Sequence, residues 1–327
     1  MDALMRWGIS IILALQGEPR LVGVMQFFTF LGSEGFFLFV MPAMYWCVDA
    51  TMGVRLAVVL IASNGLNGLF KIAFHLPRPY WVDLRVKALS SETSYGIPSG
   101  HAMNATTICG FVAAQVRKWW AWVAAIVLIL MISLSRLYLG VHFPTDVLAG
   151  WILGIVVLWA FLALERRAVA WAKRLTMWQQ IGLAFVLSLL CLALFIGVLA
   201  AIASSPDPIT WEQNAALATS LEPGESAIAP RNPEAGVTFA GMVMGLGLAL
   251  AFLTYRPTQF DARGPLAKRG LRFVIGLIGV VILWLGLKLI APQEPFMLAV
   301  LIRYIRYTLV VFWALYLAPW VFVKMGL

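Results

Sequence analysis

The chain has 327 residues, 62% of them hydrophobic and 12% charged, with a mean hydropathy of +0.89. Soluble domains are about half apolar and about a quarter charged, so too few polar residues remain to cover a soluble surface, and a polytopic helical membrane protein is expected. The net charge of +9 need not mean nucleic acid, because cytoplasmic loops of membrane proteins collect Lys and Arg; no nucleic-acid partner is expected.

Residues 2–31 hold two short apolar segments split by Gln16-Gly-Glu-Pro-Arg20. Neither is long enough to cross a bilayer comfortably, and both read as interfacial. No small-residue cleavage site follows residues 1–16, so no cleavable signal peptide is expected. Spans are expected at 34–49, 53–75, 99–116, 119–138, 143–164, 180–203, 237–254, 273–291 and 297–323, about nine in all, each near the roughly 20 residues a bilayer requires. The fold class is therefore all-α, a polytopic transmembrane bundle. Its expected organisation is interfacial segments at 1–33, a catalytic membrane core at 34–165 and additional transmembrane helices at 166–327. Cys47, Cys109 and Cys191 lie in apolar runs without ligand spacing and read as small core residues. Gly241-xxx-Gly245 and Asn64-Gly-Leu-Asn-Gly68 read as close helix packing.

The loops alternate in charge. One face receives Arg55, Arg117, Lys118, Arg166, Arg167, Lys173, Arg174, Arg256, Arg263, Lys268, Arg269, Arg272 and Lys324, more than half of the 24 lysines and arginines. The other receives the N-terminus, the loops 77–98, 136–142 and 292–296, and a long loop, 204–236, that carries Asp207, Glu212, Glu222, Glu225 and Glu234. The positive-inside rule puts the basic face in the cytoplasm and the other outside.

Three clusters fall on the outer face: Lys71-Ile-Ala-Phe-His75-Leu-Pro-Arg78-Pro79, Pro98-Ser99-Gly100-His101, and Ser135-Arg136 followed by His142 and Asp146. Singly, each has an ordinary explanation: snorkelling cations, an interfacial histidine, a helix-capping Asp. Together they place two of the three histidines, an acid and three cations on one side of a membrane protein, where ionisable groups are costly. The chemistry that needs this set is phosphoryl transfer. Arg78 and Arg136 offer forked donors to phosphate oxygens and Lys71 a point charge. Gly100 lets the backbone approach the phosphate, the amides of Gly100 and His101 open a helix, and Ser99 adds a hydroxyl. Asp146, four residues after His142, can hold the ring nitrogen that faces away from the phosphate, which makes His142 the nucleophile. His101 is placed to protonate the leaving alkoxide, and His75 reads as a non-catalytic neighbour. No metal or cofactor is expected, since three cations supply the positive charge.

These patterns, Lys-x6-Arg-Pro, Pro-Ser-Gly-His and Ser-Arg-x5-His-x3-Asp, resemble in order the three signatures of the type 2 phosphatidic acid phosphatase superfamily, and all three are complete here. The resemblance runs from Lys71 to Asp146 and implies a helical core and a metal-independent phosphohistidine mechanism, with the family's roles on Lys71, Arg78, Ser99, Gly100, His101, Arg136, His142 and Asp146. The whole-chain layout, with extra spans after the core, is similar to the glucose-6-phosphatases, as are Arg78-Pro-Tyr-Trp81 and His142-Phe-Pro144. Asp146 departs from them and matches the lipid phosphatases. Phe30-Leu-Gly-Ser-Glu34 and Tyr45-Trp46 also look like bacterial lipid phosphatases.

The expected activity is hydrolysis of a lipid or isoprenoid phosphate monoester or diphosphate on the extracytoplasmic face, in a bacterial inner membrane or, alternatively, with a lumenal site in the endoplasmic reticulum. The competing readings are a phosphatase of a soluble sugar phosphate, a non-enzymatic binding or transport protein, and a vanadate-dependent haloperoxidase. The partners are the phosphorylated lipid and the surrounding membrane lipids, and self-association is left open. Arg303 and Arg306 lie inside the last expected span on one helical face. Arg303 is roughly 12 Å in at 1.5 Å per residue. They read either as ion-paired to an outer-face acid such as Glu34 or Glu212, or as a second anion site for a diphosphate or head group.

Overall fold

The computed structural model describes residues 3–219, 227–292 and 294–327. Glu222 and Glu225 of the expected acidic loop lie outside the described residues. Every regular element among the described residues is helical: α1 (Ala3–Gln16), α2 (Val22–Leu31), α3 (Glu34–Cys47), α4 (Ala50–Phe74), the single turn α5 (Pro79–Val82), α6 (Gly100–Val116), α7 (Trp119–Tyr138), α8 (Pro144–Ala172), α9 (Met177–Ala201), α10 (Ile209–Thr219), α11 (Glu234–Tyr255), α12 (Leu266–Val281), α13 (Leu287–Leu289), α14 (Phe296–Phe312) and α15 (Ala318–Lys324). The π-helical turns Ile282–Gly286 and Trp313–Leu317 join α12 to α13 and α14 to α15.

The all-helical polytopic fold expected from the sequence is observed, with a smaller span count. Seven segments among the described residues are long and apolar enough to cross a membrane, and up to eight if α1 and Pro19–Leu31, bent by 80°, count as one broken span. Two of the nine expected spans fall short for a physical reason. At 1.5 Å per residue, the 14 residues of α3 and 17 of α6 reach only about 21 Å and 25 Å, against roughly 30 Å of hydrocarbon. The long helices expose rows of Leu, Ile, Val and Trp. Trp119, Trp120, Trp171 and Trp178 lie exposed beside basic residues in the sequence, as interfacial tryptophans do.

The chain divides into two compact units. The first comprises Met1–Phe37, Ala62–Ala160 and Gly197–Asn232. In it α6 and α8 approach closely. A Cβ on Gly150 would stand 2.7 Å from the Ser99 carbonyl, and one on Gly154 2.8 Å from the Met103 carbonyl. These glycines let the N-terminal ends of the two helices meet backbone to backbone, and the Ser99 amide donates to the Asp146 carbonyl at 2.9 Å. Polar side chains tie α6 to α4: Ser63 donates to Asn104 at 2.6 Å, Asn104 to Asn64 at 2.7 Å, and Asn67 to the Pro98 carbonyl at 3.2 Å.

The second unit comprises Leu38–Ile61, Phe161–Ile196 and Pro233–Leu327. Tyr45 and Trp46 are buried among Val280, Leu315, Tyr316 and Phe322. The Tyr45 hydroxyl donates to the Leu315 carbonyl at 2.7 Å and the Trp46 indole to the Ala314 carbonyl at 2.9 Å. Both acceptors lie in a π-helical turn, where carbonyls lose their regular helical partners. Arg55 forks onto Glu165 at 2.5 and 2.6 Å. Helix α11 lies against α14 through the Gly241 and Gly245 pair: a Cβ on Gly241 would stand 2.6 Å from the Tyr304 carbonyl, and one on Gly245 would fall on the Thr308 carbonyl. Gly245→Val is expected to lower the melting temperature in detergent, since overpacking a close contact costs about 1–3 kcal/mol. A melting curve identical to wild type would contradict this packing.

Candidate active site

The motif residues sit where helices end. Helix α4 stops at Phe74, where His75 takes a φ of 37° before Leu76 and Pro77. Lys71 therefore lies in its last turn. Arg78 is extended, as a residue preceding proline must be. Ser99 caps α6, its hydroxyl a long 3.5 Å from the Ala102 amide. Arg136 closes α7. The link to α8 turns at Gly140, with φ of 75°, and Asp146 enters the first turn of α8. Its Oδ2 accepts the Phe143 amide at 2.9 Å, the reach-back of an acidic third residue to its helix cap.

The structure brings these ends together. Asp146 Oδ2 lies 3.2 Å from His142 Nδ1, and Arg78 Nη1 lies 3.3 Å from His142 Nε2. A guanidinium can only donate, so Nε2 accepts and the ring proton sits on Nδ1, facing the carboxylate. Arg78 is fully buried. It donates through Nε to the Ser94 carbonyl at 2.6 Å, through Nη1 to the Val141 carbonyl at 2.9 Å, and through Nη2 to Ser94 Oγ and the Tyr95 carbonyl at 3.1 and 3.2 Å. Lys71 shares the last two acceptors, at 3.2 and 2.5 Å. Arg136 donates to Thr29 Oγ1 and Glu92 Oε1, each at 2.5 Å, and its buried Nε has no hydrogen-bond partner among the described residues.

His142 lies in the link between two spans, and its ring is held well below the usual imidazole range, first by burial and then by Arg78, Lys71, Arg136 and His101. This favours the neutral ring, whose Nε2 lone pair faces the Arg78 guanidinium.

The remaining expected residues take local partners. Ser99 is fully buried with its hydroxyl turned to the helix cap. Gly100 faces Asn67: a Cβ there would stand 3.0 Å from the amide oxygen. His75 turns its Nδ1 to the Ala73 carbonyl at 3.2 Å and its ring edge to Tyr95. His101 lies against Gly32, where an added Cβ would be 3.0 Å from the imidazole. Arg303 and Arg306 belong to the second unit. Arg303 pairs with Glu234 at 2.8 Å and donates to Thr238 at 2.9 Å, while Arg306 is buried with its guanidinium 5.0 Å from the Tyr307 ring centre.

Sequence reasoning missed Glu92. Its carboxylate meets Arg136 at 2.5 Å and Arg78 at 3.7 Å. Burial alone would raise it, but Arg78, Arg136, His101 and Lys71 outweigh burial and hold it down to about 2. The available signal was that Glu92 is the one acid between Asp83 and Asp146 in the sequence. Tyr95 was missed as well. Its carbonyl holds Lys71 and Arg78, and its hydroxyl donates to Asp207 at 2.9 Å and accepts from Arg231 at 3.1 Å. Among the described residues, no three His, Cys, Asp or Glu side chains gather as a metal-binding group.

The model of the PAP2 superfamily matches residues 52–170, and that of the PAP2 superfamily phosphatase transmembrane extension matches residues 237–327. Glucose-6-phosphatase 3 of Bos taurus is 28% identical over 355 residues, covering 98% of this chain and 95% of the relative. Phosphatidylglycerophosphatase B of Bacillus subtilis is 30% identical over 162 residues, covering 46% of this chain and 77% of the relative. Undecaprenyl-diphosphatase of Sulfolobus acidocaldarius is 30% identical over 125 residues, covering 38% of this chain and 59% of the relative.

In histidine-labelled protein, the His142 ring resonances should hold their neutral positions as pH falls from about 7.5 to about 6, through the ordinary imidazole pKa near 6.5. Arg78→Ala should move the midpoint upward by removing a neighbouring positive charge. A wild-type midpoint at or above the ordinary value would contradict the crowding of cations around this ring.

Proposed function

The chain belongs to the PAP2 superfamily, and from that premise we propose that it hydrolyses a lipid or isoprenoid phosphate monoester or diphosphate on the extracytoplasmic face through a phosphohistidine at His142. The observation that carries this reading is the ring of His142, with Nδ1 backed by Asp146 at 3.2 Å and Nε2 beside Arg78 at 3.3 Å.

In this mechanism the phosphate seats among Lys71, Arg78 and Arg136, and the Arg78 donor that rests on Nε2 turns to a phosphate oxygen, releasing the lone pair. Nε2 attacks phosphorus, the P–N bond forms, and the P–O bond to the alcohol breaks. His101, which takes up a proton as the phosphate enters, gives that proton to the departing alkoxide. Asp146 keeps the Nδ1 proton in place and stabilises the positive charge that develops on the ring. Water, deprotonated by His101, then attacks phosphorus, the P–N bond breaks and phosphate leaves. The three cations neutralise the oxygens throughout, which supports a metal-independent reaction.

Asp146 and the likeness to the phosphatidylglycerophosphatase and the undecaprenyl-diphosphatase favour a lipid substrate. A second reading, hydrolysis of a soluble sugar phosphate, is favoured by the likeness to glucose-6-phosphatase 3 along 98% of the chain. Phosphate release from a panel of polyprenyl diphosphates, lipid phosphates and sugar phosphates decides between them.

His142→Ala should abolish turnover on every substrate, and His101→Ala should slow alkyl phosphates far more than activated aryl phosphates, roughly 10²–10⁴-fold for the lost acid. EDTA should leave the wild-type rate unchanged. Near-normal turnover by His142→Ala, or EDTA inhibition reversed by a divalent ion, would overturn the mechanism.

The pairing of Arg303 with Glu234 supports a structural role for Arg303 and Arg306, tying α14 to α11. Replacing both with Gln should lower the melting temperature and affect monophosphate and diphosphate substrates equally. A selective rise in KM for diphosphates would instead assign the pair to a second anion site.

A further inference from the structure

Glu92 is a carboxylate placed where the mechanism requires a phosphate. Resting on the reading of Lys71, Arg78 and Arg136 as the phosphate cradle, we propose that Glu92 is an internal counter-ion that fills this cradle between turnovers, swings out when substrate phosphate enters, and returns to displace product phosphate.

The geometry separates a fixed part from a movable one. The backbone of Glu92 is pinned on both sides by the hydroxyl of fully buried Tyr80, which donates to the Glu92 carbonyl at 2.9 Å and accepts the Glu92 amide at 3.2 Å. The neighbouring Thr93 carbonyl accepts the Ala229 amide at 2.9 Å. The loop is therefore anchored, and the side chain beyond Cα is what can turn. The Glu92 side chain is 29% exposed, whereas those of Arg78 and Arg136 are 1% and 2% exposed. Rotation about its side-chain bonds carries the carboxylate toward the open side while the cations stay in place.

The bonding also fits exchange. Arg136 spends one terminal nitrogen on Thr29 and the other on Glu92, and leaves its buried Nε without a hydrogen-bond partner among the described residues. Arg78 makes closer bonds to Ser94, Tyr95 and Val141 than its 3.7 Å approach to Glu92, so the carboxylate can leave without unseating that guanidinium. Carboxylate and phosphate present the same acceptor fork to arginine. A phosphate dianion on Arg136 and a carboxylate on the same nitrogen would repel at close range in a poorly solvated site, so the two occupants exclude each other. Conversely, an empty cradle would leave the buried Arg78 and Arg136 without their carboxylate, which burial strongly disfavours. The exchange holds the local charge nearly constant through the cycle.

The test is inhibition by inorganic phosphate, measured with vanadate in parallel, in the full chain and in Glu92→Gln. Without the competing charge, Glu92→Gln should bind both anions more tightly, with the phosphate inhibition constant falling about tenfold or more, as expected for removal of one nearby, partly solvated charge. Its kcat should fall as product release slows, and KM should fall with it. If Glu92 only holds Arg78 and Arg136 in position, the same variant will bind phosphate and vanadate more weakly and raise KM, and that sign, or an unchanged inhibition constant, overturns the proposal. Should Glu92→Gln fail to fold, Glu92→Asp keeps the charge but draws it back from Arg136; tighter phosphate inhibition supports the exchange, and equal or weaker inhibition overturns it. Arg136→Ala tests the cradle itself: if it leaves phosphate inhibition untouched, the cradle reading has failed, independently of the outcome at Glu92.

Discussion

Three cations that share acceptors, Arg78 and Arg136 buried and Lys71 half-buried, are the constraint on which the first unit depends. Lys71 and Arg78 both donate to Ser94 Oγ and to the Tyr95 carbonyl, and Glu92 links Arg78 to Arg136. Like charges held this close repel, and out of water the repulsion is poorly screened. Carbonyls and one carboxylate must offset it, and regular helices cannot supply them because their carbonyls are already bonded. Helix ends and loops can. This is why each motif falls at an end: the last turns of α4 and α7, and the first turns of α6 and α8. The glycine-mediated approach of α6 to α8 then serves the cradle, because it brings Ser99 and Asp146 to adjoining positions.

His142 shows what such an arrangement does to one side chain. Asp146 fixes its proton on Nδ1, while burial and then the surrounding cations disfavour a second proton on the ring. A carboxylate behind the ring and the Arg78 guanidinium in front of it thus act in opposite senses. In the proposed reaction, this lets a ring that is neutral before phosphate enters carry a stabilised positive charge once the phosphoryl group is attached. An imidazole on an exposed loop would have neither property.

The motif residues were legible in the sequence because their chemistry is written as residue type plus spacing. A histidine four positions before an aspartate at a helix start can reach it, and a cation three residues before the end of a helix lies at its rim. The fold class was legible from composition. The span count was less so, because an apolar stretch can form a helix too short to cross. Residues 99–116 are apolar and their helix opens at Gly100 as expected, but it has 17 residues and spends Asn104 and Thr107 on bonds within the first unit. Glu92 and Tyr95 carry no spacing signal. A single acid or tyrosine in a polar loop acquires meaning only when folding brings it against groups far away in the chain.

Tyr95 joins two such regions. Through its backbone oxygen it holds Lys71 and Arg78, and through its hydroxyl it meets Asp207 and Arg231, which are themselves paired at 2.9 Å. Asn214 adds a bond to the Trp81 carbonyl at 3.0 Å. The polar stretch after α9 therefore shares the mechanical fate of the cradle, although it contains none of the motif residues. A change at Asp207 or Arg231 would therefore be felt at Lys71 and Arg78 through the backbone of Tyr95.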